Sequence, residues 1–312
     1  MMTKNAFKLV SANFYTFWKM LLYRLVVCLV CIGLISFVFP SIYSALTASG
    51  FIEQLKFYLG NISVFPNIIV ALGELLELAN ALIQGAVILA EYNLFALIYS
   101  SVVIMFVLPF LNRLGDLAFG ECIYSYMSSL SKTSFVVAYV KKMGTSALYA
   151  LCSSLFGALL CAIGLVGSYY ILSIVELNTF VSYLVPVFFT AFLITYFSLQ
   201  QTVMSGWMPA TVVFNDGAIK GFRQGLKTVN RRFFRTYSNL IFINLLAVLL
   251  VYAFNFYVLI VLVPLYALYM STFKMVMFFG SHGMRYYVDL DTILSPKKLE
   301  TYDKMSKVKH LI

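Results

Sequence analysis

The chain has 312 residues, 62% of them hydrophobic and 11% charged, with a net charge of +10. Soluble domains are about 45–50% apolar and about 25% charged, so a water-soluble fold of this composition could not cover its surface with polar groups. The apolar stretches run well beyond the roughly ten-residue alternating strands of a membrane barrel, which leaves transmembrane helices.

The chain opens on an amphipathic helix. Phe7, Val10, Phe14, Phe17 and Leu21 recur at helical spacing with Lys8 and Lys19 beside them, a narrow apolar stripe suited to a membrane interface. It leads into a first span at 19–40, since a helix needs about 20 residues to cross about 30 Å of hydrocarbon. Arg24 lies inside this span. Cys28 and Cys31 form a C-x-x-C without the strand and loop of a redox motif, and read as small buried residues. Lys19 and Arg24 interrupt the apolar run and no A-x-A-like site follows, so the span is retained rather than cleaved as a signal. The segment 41–91 is an external insertion containing an amphipathic helix over 65–87. Glu74, Glu77, Asn80 and Gln84 form its polar face, opposite Phe65, Ile68, Leu72, Leu75, Leu76, Leu82 and Ile83. Such a helix either lies on the outer leaflet or caps an opening between spans.

Further spans are expected at 92–114, 147–172, 180–206, 238–257 and 258–280. Polar links separate them at 115–146, 175–179 and 215–237, with a tight turn near Asn255. A faint stripe of Val136, Tyr139 and Met143 precedes the third span. That span carries Gly157, Ala158, Ala162, Gly164 and Gly167, small residues that let helices pack closely. The fourth ends in Gln200, Gln201, Ser205 and Trp207, which either line a cytoplasmic vestibule or mark the interface. Before the fifth span, 217–235 forms the strongest amphipathic helix. Ile219, Phe222, Leu226, Val229 and Phe233 share one face, and Lys220, Arg223, Lys227, Arg231 and Arg235 share another. Each such cation near an anionic leaflet contributes about 1 kcal/mol. The helix is therefore either a topology-setting elbow on anionic headgroups or a docking site for a lipid or protein. Lys274 is the second cation inside a span. Like Arg24 it either snorkels to the interface or faces a partner or substrate. The tail, 281–312, is too polar to span, and Ser295-Pro296 starts a short basic helix over 296–308.

Lysine and arginine are retained on the cytoplasmic side of membranes. Of the 22 in this chain, Arg24 and Lys274 fall within spans and Lys56 alone falls on one side of the expected topology, opposite all the others. Glu53, Glu74, Glu77, Glu91 and Glu176 accompany Lys56. Both termini are thus expected in the cytoplasm of a multi-pass cell-membrane protein, and nucleic acid is not needed to explain the charge. The stripes before spans one, three and five align, with Thr16, Thr145 and Thr228 at matching positions, and Leu184-Val185-Pro186 matches Leu262-Val263-Pro264. The expected fold is all-α: six spans as three hairpins, each preceded by a cytoplasmic interfacial helix. The repeats fall near 1–114 (with the insertion 41–91), 132–206 and 215–280, within one transmembrane domain over 1–280.

Nothing supports catalysis. The histidines, His282 and His310, lie in or near the tail, and no intramembrane carboxylate pair, H-E-x-x-H, G-x-S-x-G or Walker A pattern is present. No cofactor or metal is expected. The six-span plan, the basic helix before span five, and the ending Met284-Arg285-Tyr286-Tyr287-Val288 with Ser295-Pro296-Lys297-Lys298-Leu299 resemble the YesL-like bacterial membrane proteins. The resemblance implies an accessory role beside a carbohydrate uptake system and carries over no catalytic residue. The expected function is transport-associated, as a permease-like or accessory subunit with transporter subunits or other membrane proteins as partners. The alternative is a non-conducting scaffold or lipid-interacting assembly protein.

Overall fold

The computed structural model describes residues 2–61, 68–175, 185–253, 256–288 and 293–294. Five described segments form helices long and apolar enough to cross a membrane: Phe14–Ser36, Gly73–Ser129, Phe135–Ile171, Val187–Val213 and Phe233–Leu250. Another helix, Phe256–His282, runs 27 residues through the stretch expected as the last span. Leu22, Leu25, Leu29 and Ile32 on the first segment are exposed, as are Leu155, Leu159, Ile163 and Val166 on the third. Apolar surface on that scale suits acyl chains and not water. The fold is all-α, with several long apolar helices, consistent with a multi-span membrane protein.

Helix α1 (Met2–Ala12) stops at Asn13 (φ −112°, ψ 27°), before α2 (Phe14–Ser36). The Asn13 side-chain amide donates to the Leu9 carbonyl at 3.0 Å, beside the backbone bond from Asn13 N–H to the same oxygen at 3.1 Å. The buried face is Ala6, Leu9, Asn13, Phe17 and Met20, whereas Phe7 and Phe14 are exposed. The expected stripe is thus rotated by about one position, because α1 packs against the last helix through its small residue Ala6 rather than Phe7.

Pro40 lacks the N–H that would continue α2, so a new helix, α3 (Phe39–Ala48), starts around it. After α4 (Phe51–Asn61) the chain enters α5 (Ile68–Val102), which bends at Asn93 (φ −154°, ψ 78°). Asn93 acts as an internal N-cap. Its Oδ1 accepts from the Ala96 amide at 3.1 Å, and its Nδ2 donates to Ser41 Oγ at 3.1 Å. Helix α5 packs on α3 and α4, meeting α3 on both sides of the bend through Leu89 and Ala96, and Leu76 clusters with Ile83, Ile171, Phe189 and Leu193. Glu77, Asn80 and Gln84 are exposed. Beyond the bend, Val103–Val107 is a π-helical turn leading into α6 (Leu108–Leu114). Pro109, unable to donate to the turn before it, accounts for the shifted hydrogen bonding.

The segment 115–146 is not merely a polar link. It contains α7 (Asp116–Ser129), whose Leu117, Phe119, Cys122, Ile123, Tyr126 and Met127 are all buried. Around it gather Phe17 and Met20 of α2, Trp207 and Met208, and Phe273, Met275 and Val276; Phe17 meets Phe119 edge-on at 5.0 Å. This is the largest apolar core, and it lies at the end of the bundle that carries most of the basic residues.

Helix α8 (Phe135–Val175) is one helix of 41 residues. The Val136–Met143 stripe is its first turns and not a separate interfacial helix, since no proline or cap interrupts it. Then come α9 (Val185–Met204), the short α10 (Trp207–Val213), α11 (Ala218–Arg231), α12 (Phe233–Ala253) and α13 (Phe256–His282). In the tail Tyr286–Tyr287 pairs with Ile293–Leu294, and buried Tyr286 accepts a 3.2 Å hydrogen bond from Asn5 on α1. The expected link at 175–179 beyond Val175, the start of the fourth span at 180–184, the turn at Asn255 and the tail helix over 296–308 lie outside the described residues.

Candidate functional site

At the basic end of the bundle a cavity of about 260 Å³ opens between α6, α7, α8, α9, α10 and α13. Its polar lining is Arg113, Asp116, Gln200, Gln201, Ser271 and Lys274, with Tyr149, Phe197, Met204 and Met208 as the apolar wall. The local periodicity explains the convergence. Phe197, Gln200, Gln201 and Met204 share one face of α9 at spacings of three and four, and Ser271 and Lys274 are three apart on α13. Arg113 ends α6 and Asp116 begins α7, so the break at Gly115 aims both into the same space. In the first turn of α7 a carboxylate is also favoured by the helix dipole.

Arg24 does not line the cavity. It reaches from α2 to Asp116, Nη2 to Oδ1 at 3.3 Å, with the two side chains 17% and 20% exposed. That pair uses the one carboxylate of the lining. Two further acids at this end are engaged as well: Glu121 with Lys142 at 3.8 Å, and Asp216 with the Gln224 amide at 2.7 Å. Arg113 and Lys274, both half-buried, therefore face the cavity with no ion pair among the described residues. Arg113 Nη1 is buried without any hydrogen-bond partner. Space for this guanidinium comes from Gly157 on α8, where a Cβ would stand 2.7 Å from Arg113 Nη2.

A polar seam continues from the cavity into the bundle. Asn244 on α12 donates to Ser198 Oγ at 2.7 Å and to Gln201 Oε1 at 3.2 Å, and the Tyr266 hydroxyl donates to Asn244 Oδ1. Gln200 Nε2 reaches the Gly157 carbonyl at 3.5 Å. Such groups inside an apolar bundle are satisfied by one another, as low-polarity surroundings require.

Of the residues singled out in the sequence, Gln200, Gln201 and Lys274 meet in this cavity, and Arg24 touches it through Asp116. Ser205 and Trp207 do not reach it. Trp207 is buried, donates from Nε1 to the Ala218 carbonyl at 2.8 Å, and packs on Phe222 and edge-on to Tyr149. Arg113, Asp116, Ser271 and Asn244 escaped sequence reasoning. Arg113 looked like one of many basic end residues, and Asn244 is a single amide in a long apolar run.

The basic helix α11 is a separate feature. The helix is shorter than the expected 217–235: it ends at Arg231, and the break at Arg232 puts Phe233 and Arg235 on α12. Lys220, Arg223 and Lys227 on α11 and Arg235 on α12 are exposed, and of Arg231 only the backbone is described. Its buried side is Ala218, Gly221, Gly225 and Val229, while Ile219 is 67% exposed. The glycines make the closest approach, beside Val229 and Phe222 of the expected stripe. A Cβ on Gly225 would stand 2.6 Å from the Gly206 carbonyl carbon, so α10 and α11 meet backbone to backbone.

Fold and cavity together describe a helical protein of multi-span type with a charged hollow at one end. No family model, curated protein or solved structure matches the chain.

Proposed function

We propose that this is a transport-associated membrane protein, a permease-like subunit or an accessory component of a transporter. The observation that carries the reading is the cavity. A hollow of about 260 Å³ lined by two cations, a carboxylate and two amides is what an apolar bundle has no structural reason to keep, and intramembrane ionisable groups mark substrate paths. In this reading the apolar helices cross six times, the basic end faces the cytoplasm, and the first part of α5 rests over the opposite end as a cap. The likeness of the tail to YesL-like proteins belongs to the same reading and points to work beside carbohydrate uptake.

Access from water tests it. The variant Ser271→Cys, in a background without native cysteines, should react with a small membrane-impermeant thiol reagent from the cytoplasmic side in oriented vesicles. Reaction from both sides fits a permease, and from one side an accessory subunit. A thiol at this position that stays dry and unreactive sinks the transport reading. It would favour the second one, a non-conducting scaffold, which draws on the glycine contact of Gly206 with Gly225 and the exposed cations of α11.

A further inference from the structure

We infer that the cavity binds a small anion, through a carboxylate or phosphate group held by Arg113 and Lys274. The inference rests on the functional reading above and names its ligand class. Arg24, Arg113 and Lys274 surround a single carboxylate, Asp116, which already pairs with Arg24 at 3.3 Å. Among the described residues two positive charges are left over in a half-buried site within an apolar bundle. Uncompensated cations in such surroundings oppose folding, and an uncharged side chain would have served packing as well. The balance closes when an anion enters.

The details fit that occupant. Arg113 Nη1 is buried and has no hydrogen-bond partner, and its planar fork matches the paired oxygens of a carboxylate or phosphate. Gly157 leaves the room that keeps the guanidinium in this position. Lys274 adds a point charge from α13, across the cavity from α9. Gln200, Gln201 and Ser271 supply amide and hydroxyl groups for the body of the ligand. The volume, about 260 Å³, lies below the roughly 300–1,000 Å³ of pockets for drug-sized molecules, so the ligand is small.

The test uses the full-length protein in phosphatidylcholine nanodiscs, with thermal unfolding followed against sodium phosphate and sodium succinate. Sodium chloride at matched ionic strength and neutral glycerol serve as controls. The expected result is a saturable rise in Tm with phosphate or succinate only. In Arg113→Gln and Lys274→Gln the apparent affinity falls by about tenfold or more, whereas Arg223→Gln on α11 responds like the parent. Without ligand, the two cavity variants unfold at or above the parent temperature, because each removes an unpaired cation; a purely structural cation would lower it. A rise that survives both cavity substitutions overturns the inference. Stabilisation by glycerol and not by anions also overturns it, yet leaves the transport reading standing. If a rise dependent on Arg113 and Lys274 appears only in nanodiscs containing phosphatidic acid, the anion site stands with a lipid headgroup in it, and solute transport fails. No response to any of these probes overturns the inference and leaves the transport reading to the accessibility of the thiol at position 271.

Discussion

Asp116 is the residue on which the charge balance at the basic end turns. It pairs with Arg24 and shares a cavity with Arg113 and Lys274. Asp116→Asn removes the one negative charge facing three cations and should cost about 1–3 kcal/mol, less than a fully buried pair because both side chains keep some solvent contact. Arg24→Gln should cost less, since Asp116 still has two cations near it. Equal losses from the two variants in chemical denaturation would contradict this asymmetry. Gly157→Ala should cost about 1 kcal/mol or less, because the atom in the way is the end of a flexible Arg113 side chain.

Two elements behave differently from their amphipathic patterns. In α11 the glycine pair Gly221 and Gly225 makes the closest approach, beside Val229 and Phe222. Gly225→Ala would drive a Cβ to 2.6 Å from the Gly206 backbone, which cannot swing away as a side chain can. A loss of about 1–3 kcal/mol is expected, read as a lower unfolding temperature in detergent. The cations on the outer face are independent of that contact. Replacing Lys220, Arg223 and Lys227 together by Gln should leave folding intact and remove roughly 1–3 kcal/mol of attraction to anionic lipid. Native mass spectrometry reads this as fewer retained anionic lipids, and unchanged retention would leave α11 as a structural elbow only. In α8 the glycines receive aromatic rings of α9, with Tyr196 over Gly164 and Phe192 over Gly167, the two rings stacked at 5.7 Å.

For the whole molecule, the band of exposed Leu, Ile, Val and Phe on the long helices and the concentration of basic residues at one end lead to a topological prediction. A cysteine placed at Glu77 should react with an impermeant reagent from outside intact cells, and one placed at Lys227 only after permeabilisation. Protection at Glu77 together with external reaction at Lys227 would invert the molecule. The bend at Asn93 separates the first part of α5 from the part that continues through the π-turn to Arg113.

The sequence alone determined the helical class and the long apolar segments, because both follow from composition and uninterrupted hydrophobic runs, which are local quantities. It also pointed to Gln200, Gln201 and Lys274, since polar side chains in such runs stand out wherever the fold puts them. Other features were decided by the tertiary structure. That α7 is the centre of the main core could not be seen in a stretch whose hydrophobicity resembles that of an ordinary link. That Gly221 and Gly225 make the closest approach of α11 depends on what α10 brings against them. That Arg113 and Lys274 stand in one cavity without an ion pair among the described residues depends on Asp116 being taken by Arg24, from a helix some 90 residues earlier. Charge pairing and close approach are properties of positions in space, and residues this far apart in the chain reveal them only when the helices have packed.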